Sequence, residues 1–279
     1  MSALKAPLVE ANGARIPQIG MGTMTLKDEV CVQAVKDALA IGYRHIDTAA
    51  YYGNEREVGH GLRLSGVNRD EVFITTKIRP DAAMPDDFAR VVDQCLENLK
   101  LPQVDLLLIH WPSKTVPIKL TVGALCKAKT EGKTRHIGVS NFTTALLDEA
   151  WAATTEPLVC NQIEVHPFIN QDKVIAASRK RGMAVVAYVP IARGKVPGSE
   201  VLEKIGKAHG KSPAQVSLRY LVQLGLIPIP RTATPAHLKE NLDVFDFVLS
   251  DGEMAALKRL NANNMRVVNP PHAPVWDTV

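Results

Sequence analysis

Four side chains in the first part of the chain have types and positions that could do chemistry together. Asp47 follows His45-Ile46, Lys77 closes Phe73-Ile-Thr-Thr, His110 closes Leu106-Leu-Leu-Ile, and Tyr52 lies just past Asp47. A tyrosine hydroxyl has an ordinary pKa of about 10, so it gives up its proton reluctantly at neutral pH. A nearby ammonium favours the phenolate and lowers that value. Lys77 can supply this charge and Asp47 can hold Lys77, which makes Tyr52 a candidate general acid. His110 can orient and polarise a carbonyl oxygen through a ring N–H. The set suits protonation of a carbonyl oxygen as hydride reaches the carbon. Each member also has a plainer reading. Asp47 and Lys77 alone make a structural ion pair, His110 a polar strand cap, and Tyr52 a core residue with one hydrogen bond.

The four can meet only if the runs that end in them are neighbouring strands. Short apolar runs recur at Ile19–Met21, His45–Ile46, Val72–Thr76, Val104–Ile109, His136–Val139, Leu158–Ile163, Ala184–Tyr188 and Leu226–Ile229. Amphipathic stretches lie between them, at Asp28–Ala40, Pro85–Leu99, Thr121–Glu131, Thr143–Ala153, Lys173–Arg181, Pro213–Gln223 and Pro235–Phe245. Strands alternating with helices predict a parallel sheet. Eight such units in 279 residues favour an α/β architecture of the closed (β/α)8 TIM-barrel kind, with one domain over residues 1–279. Asn12-Gly13 between two apolar runs predicts an N-terminal hairpin over Leu8–Ile16. The Asn- and Pro-rich tail Asn261–Val279 predicts irregular structure, either crossing a barrel mouth or left as a solvated end. Polar residues end the later runs as well: Ser140-Asn141, Gln162, Glu164, Tyr188 and Arg231. In such barrels the active site is built from the C-terminal strand ends.

At these positions the chain resembles the aldo-keto reductases. The matching stretches are Gly42-Tyr-Arg-His-Ile-Asp-Thr-Ala, Tyr52-Gly-Asn-Glu, Ile74-Thr-Thr-Lys77, Leu108-Ile-His-Trp-Pro, Ile137-Gly-Val-Ser-Asn-Phe, Asn161-Gln-Ile-Glu-Val-His-Pro and Ile229-Pro-Arg. Among bacterial members the chain is most similar to the 2,5-diketogluconate reductase-like group, whose compact loops match the short segment Pro112–Leu120. The resemblance implies a catalytic tetrad of Asp47, Tyr52, Lys77 and His110, with Tyr52 as proton donor. It implies that Ser140, Asn141 and Gln162 bind a nicotinamide carboxamide and that Tyr188 stacks on the ring. Arg231, Thr232, Glu240 and Asn241 would lie along the adenosine half. The implied cofactor is NADPH, with NADH possible, and no metal.

Local chemistry agrees with that placement. Thr234-Pro235 reads as a helix start, and Arg231 adds a fork suited to phosphate. Gly194-Lys-Val-Pro-Gly198 reads equally as a pyrophosphate cover or a plain loop. Gly20-Met-Gly22 lacks the third glycine and the following helix of a dinucleotide fingerprint, which argues against a Rossmann domain. The chain departs from the family in three places. His237 stands where an arginine often holds the 2′-phosphate, Met24 where a tryptophan often lines the pocket, and Val189 where a serine often follows the stacking tyrosine. Tyr51, Trp111 and Trp276 are further candidates for the pocket wall.

Composition narrows the alternatives. Lys and Arg total 33 against 29 Asp and Glu, a scattered net charge of +4 that gives no basic stripe for nucleic acid. The longest apolar run is too short to span a membrane. Four dispersed cysteines and an N-terminus without an apolar leader predict a cytoplasmic protein, and a monomer is expected from the resemblance. Two rival functions remain. A metal-dependent barrel hydrolase would use His45, Asp47, His110 and Glu164. A redox-sensor subunit would hold the nicotinamide cofactor without steady turnover. The remaining histidines, His60, His136, His166, His209 and His272, read as surface or second-layer residues.

Overall fold

The computed structural model describes residues 6–278. The chain opens with a hairpin, β1 (Leu8–Ala11) and β2 (Ala14–Pro17). Its turn places Asn12 at φ 44° and Gly13 at φ 88°, the paired positive values that a two-residue hairpin turn requires. There follow β3 (Met21–Gly22), α1 (Asp28–Ile41), β4 (His45–Asp47), α2 (Glu55–Leu64), β5 (Phe73–Ile78), α3 (Pro85–Leu99), β6 (Val104–Ile109) and α4 (Ile118–Thr130). The second half runs β7 (Thr134–Ser140), α5 (Thr144–Ala153), β8 (Leu158–Glu164), α6 (Asp172–Lys180), β9 (Ala184–Tyr188), α7 (Glu200–His209), α8 (Pro213–Gln223), β10 (Ile227–Pro228), α9 (Pro235–Leu242) and α10 (Asp251–Arg259). Strands β3 to β10 form one eight-stranded sheet in chain order, every pair parallel. Bonds from Gly20 N to Pro228 O and from Gly22 N to Pro230 O, each 3.0 Å, join its first and last strands. The fold is a (β/α)8 barrel with an N-terminal hairpin.

Barrel strands are covered on both faces, so they are apolar runs rather than alternating ones. All residues of β5, β6 and β8 are buried. Alternation decides which core each residue joins. On β6, Leu106 and Leu108 enter the barrel interior, while Leu107 and Ile109 face the helix layer with Val92 and Leu125. Ala11, Ala14 and Ile16 of the hairpin belong to the interior cluster with Phe73, Val186 and Ile227, so the hairpin plugs the N-terminal end. The same two-residue period sends His45 and Asp47 inward on β4, and Phe73, Thr75 and Lys77 inward on β5. The candidate site residues Asp47 and Lys77 thus occupy the last inward positions of strands whose earlier ones are core.

Three helices, α2, α7 and α10, lie outside the amphipathic stretches read from the sequence. The buried stripe of α2 includes Gly59 and Gly61, which carry no apolar side chain, and α10 buries Leu257 alone. For α10 a signal existed: Ser250 and Glu253 form a capping box. The described part of the tail, residues 264–278, has no helix or strand, as its composition predicts, yet it is tied to the rim.

Candidate active site

Lys77 is fully buried, and all three of its ammonium donors have partners. Nζ donates to Asp47 Oδ1 at 2.5 Å, to the Thr48 carbonyl at 2.8 Å and to the Tyr52 hydroxyl at 3.3 Å. The second carboxylate oxygen of Asp47 accepts from Gln162 Nε2 at 2.8 Å. Because Lys77 donates to the Tyr52 oxygen, the phenolic hydrogen must point elsewhere. The imidazole of His110 stands edge-on to Tyr52 at 5.7 Å and to Tyr51 at 6.5 Å between ring centroids.

Burial pushes the Tyr52 pKa up, Lys77 pulls it down, and the net shift is upward. The expectation from sequence that Lys77 would leave it below its ordinary value is therefore corrected: desolvation outweighs the ammonium, and the phenol is protonated near neutral pH. Burial alone would discharge Lys77, but Asp47 and the Tyr52 oxygen together raise its pKa and keep the ammonium. His110 is driven well below its ordinary value by burial, then by Lys77 and His272. Its imidazole is neutral. Its Nδ1 is buried without a hydrogen-bond partner among the described residues. An unpaired acceptor there costs less than an unpaired N–H, which places the ring hydrogen on Nε2.

The nicotinamide-side candidates join the same network. Tyr188 donates its hydroxyl to Asn141 Oδ1 at 2.7 Å. Asn141 Nδ2 donates to the His110 carbonyl at 2.9 Å and to Ser140 Oγ at 3.0 Å, and Ser140 Oγ donates to the Gln162 carbonyl at 2.8 Å. Asn141 sits at φ 63°, a conformation asparagine tolerates better than most residues. Val189, directly after Tyr188, sits at φ 52°, unusual for a β-branched residue. The adenosine-side candidates lie apart from this network. Arg231 is exposed and donates to Thr25 Oγ1 at 2.5 Å, linking the loops after β10 and β3. Thr232 is buried and accepts from Thr234 N at 3.1 Å. His237 is exposed on α9, with Glu240 half-buried and Asn241 buried one turn on. Thr234 is the N-cap of α9 as expected, but its side chain makes no cap bond. Met24 and Tyr51 are exposed on separate loops, whereas Trp111 is buried edge-on to His272 and Trp276 of the tail.

Several positioning residues carry no signal in their spacing. Asn54 is buried and is the N-cap of α2, yet its side chain does not cap the helix. It donates instead to the Thr23 and Leu26 carbonyls and accepts from Thr48 Oγ1, at 2.8, 3.0 and 2.8 Å, fixing the loop that carries Tyr52. Lys27 Nζ also bonds the Tyr52 carbonyl. Glu55 accepts from Thr76 Oγ1 at 2.5 Å behind Lys77. Of the two readings open for His166, the buried one holds: it and Glu164 are fully buried and paired at 3.0 Å. Among the described residues no three His, Cys, Asp or Glu side chains are grouped to hold a metal.

The closed parallel barrel, with Asp47, Tyr52, Lys77 and His110 gathered on one rim, places the chain in the class of (β/α)8 barrels with a polar cluster at the strand ends. This chain belongs to the aldo/keto reductase family, whose sequence model matches residues 18–262. It is 40% identical over 266 residues to methylglyoxal reductase DkgB of Yersinia pestis, covering 94% of this chain and 99% of that protein. It is 38% identical over 272 residues to morphine 6-dehydrogenase of Pseudomonas putida, covering 92% of each. A solved structure described as a 2,5-diketo-D-gluconic acid reductase B superposes with a TM-score of 0.96 at 44% identity over 98% of both chains. A Bombyx mori aldo-keto reductase in complex with NADP superposes at 0.89 with 34% identity over 96% of both. The chain thus falls within the 2,5-diketogluconate reductase-like group, and no helix among the described residues is long and apolar enough to cross a membrane.

Proposed function

We propose that this chain is an NADPH-preferring reductase of small aldehydes and ketones, with α-dicarbonyls and keto-sugars as its substrate class. NADH is the weaker alternative cofactor. We take it to work as one domain over residues 1–279, as a cytoplasmic monomer, without metal and without nucleic-acid or membrane partners. The observation that carries this reading is the complete satisfaction of Lys77, which leaves a protonated Tyr52 with its hydrogen directed away from the lysine.

The residues present fit a nicotinamide cofactor. Gln162 engages Asp47 through Nε2, so its side-chain oxygen Oε1 can accept from a carboxamide. A Cβ on Gly22 would stand 3.0 Å from the Ile229 carbonyl and 3.7 Å from Arg231 Cβ, so the glycine lets the segment that carries Arg231 lie close against β3. Arg231, Thr232, His237, Glu240 and Asn241 would hold the adenosine half, while Ser140, Asn141, Gln162 and Tyr188 would hold the nicotinamide. A bound nicotinamide supplies the hydride. Tyr52 gives its proton to the carbonyl oxygen, and Lys77 stabilises the phenolate that this leaves. His110 donates Nε2–H to the same oxygen and fixes its position. Asp47 holds Lys77 in place. Tyr51, Trp111 and Met24 would border the substrate.

The test is cofactor oxidation with NADPH and NADH in parallel, with chelator present, against small aldehydes, α-dicarbonyls and keto-sugars. Chelator-resistant turnover supports the reading. Strict metal dependence would favour the hydrolase, and cofactor binding with a single slow oxidation would favour the sensor subunit. Absence of binding by either cofactor would overturn the proposal.

A further inference from the structure

Glu164 ends β8 and takes no part in the proton-handling network. Its side chain is fully buried, where a carboxylate survives only with partners. The partners come largely from the tail. Oε1 accepts from the Val267 amide at 2.6 Å, Oε2 accepts from the next amide, Val268, at 3.0 Å, and the Arg266 guanidinium lies 3.9 Å away. His166 completes the grip. Its Nδ1 accepts from Phe168 N at 3.3 Å, so the ring hydrogen sits on Nε2 and is donated to Glu164 Oε1.

This grip sets where the rest of the tail goes. Arg266 lies 3.7 Å over the face of Trp276, whose Nε1 donates to Asn269 Oδ1 at 2.8 Å. Asp277 then docks on the start of α5, accepting from Thr144 N at 3.0 Å and Thr144 Oγ1 at 2.5 Å. Between these anchors Trp276 stands edge-on to Trp111, the neighbour of His110 in the chain, at 6.1 Å. The segment is irregular yet held in one arrangement.

We propose that Glu164 is a specificity-positioning residue: by holding two consecutive tail amides it sets Trp276 against Trp111 as the outer wall of the carbonyl pocket. The carboxylate never touches the reacting atoms. It selects by size, admitting compact carbonyl compounds against a fixed aromatic edge and disfavouring extended ones. The claim rests on the reductase reading above.

The test uses the full chain and two variants that break the grip from opposite sides. Glu164→Gln turns an amide NH2 towards a backbone N–H. Val267→Pro removes one donor and leaves the buried carboxylate in place, so it remains informative if the first variant folds poorly. Each should lower the KM ratio of a six-carbon to a three-carbon dicarbonyl by about tenfold, with a smaller change in the kcat ratio. Each should also shift the tryptophan emission. The double variant should be no worse than the stronger single one, because both act through one contact. Additive effects, or a size preference equal to wild type in both variants, would overturn the proposal. A wild-type chain that reduces no carbonyl compound sinks the reductase reading instead. Unchanged emission in both variants would then still show that Glu164 does not hold the tail.

Discussion

Two inward-facing positions on β4, His45 and Asp47, are separated by one residue and meet opposite fates. His45 lies deeper, towards the end plugged by the hairpin. Its Nε2 meets Thr75 Oγ1 at 3.1 Å, its Nδ1 has no hydrogen-bond partner among the described residues, and Phe73 packs edge-on against the ring. The imidazole fills the space that Gly20 leaves, since a Cβ there would come within 2.8 Å of it. Burial lowers the His45 pKa to about 4, so it is a neutral wedge at neutral pH. Asp47 is equally buried, but both its oxygens are bonded and a lysine is paired with it. One layer of the barrel therefore removes charge and the next retains it. Burial is common to both, and what differs is the number of partners. A polar residue inside this barrel can carry an ion only where several hydrogen-bonding partners converge on it.

Removing the partner should break that contrast with the largest effect. Lys77→Met leaves Asp47 buried without its cation, and breaking a buried pair in this way costs about 3–5 kcal/mol. The loss should appear in denaturant unfolding, and kcat should fall by roughly 10²–10⁴. Tyr52→Phe should match the fall in kcat and leave cofactor affinity nearly intact, with a smaller loss of stability, about 1–3 kcal/mol, for the one Lys77 donor left unpaired. A near-normal kcat in that variant would remove Tyr52 from the role of proton donor.

The deeper layer offers the next test, through pH. The folded pKa of His45, about 4, lies below the unfolded value of about 6.5, so the native chain resists protonation there. Its stability is complete above the unfolded value and declines as pH falls towards the folded one. The decline is on the order of 3 kcal/mol. His45→Leu should flatten the stability profile across that window relative to wild type. His110, also lowered by burial, contributes to acid loss in both proteins, so the difference between them isolates His45. An unchanged slope would show that His45 protonates freely in the fold. Asn54→Ala acts on the charged layer from outside. It removes three buried hydrogen bonds and should cost about 1–3 kcal/mol, with kcat down roughly tenfold as the Tyr52 loop loosens. Wild-type kcat in a folded Asn54→Ala chain would show that Lys27 and Glu55 hold the loop unaided.

The contrast also shows what a linear sequence can and cannot disclose. The layered placement of His45 and Asp47, and the convergence of Lys77 and His110 on the same rim, follow from strand period and run ends alone, so they were legible. Strands β6 and β9 and helices α3 and α8 match their sequence boundaries because apolar runs and flanking prolines mark them. Two kinds of information were not legible. The net direction of the Tyr52 shift depends on the balance between desolvation and one ammonium, which spacing does not supply. The tasks of Asn54 and Glu164 depend on partners far away in sequence, Glu164 meeting amides more than a hundred residues later. Asparagine before a helix predicts a cap, and only the packed loops show that its side chain has turned inward.

The smallest predicted effect lies at the open edge, where the contrast between layers should vanish. His237 is exposed at the start of α9, with neither a buried partner nor a desolvated charge to exploit. Arginine there would add a permanent, two-pronged cation facing a 2′-phosphate, whereas an imidazole is charged only part of the time near neutral pH. A charge-assisted hydrogen bond at an exposed site is worth about 1–1.5 kcal/mol, so His237→Arg should improve the NADPH-to-NADH affinity ratio by roughly tenfold. Fold stability and kcat with saturating cofactor should stay level. The measurement is a pair of cofactor titrations by fluorescence quenching in wild type and variant. A larger change, approaching that of Lys77→Met, would mean that position 237 is desolvated once cofactor is bound. No change in the ratio would place the 2′-phosphate away from α9 altogether.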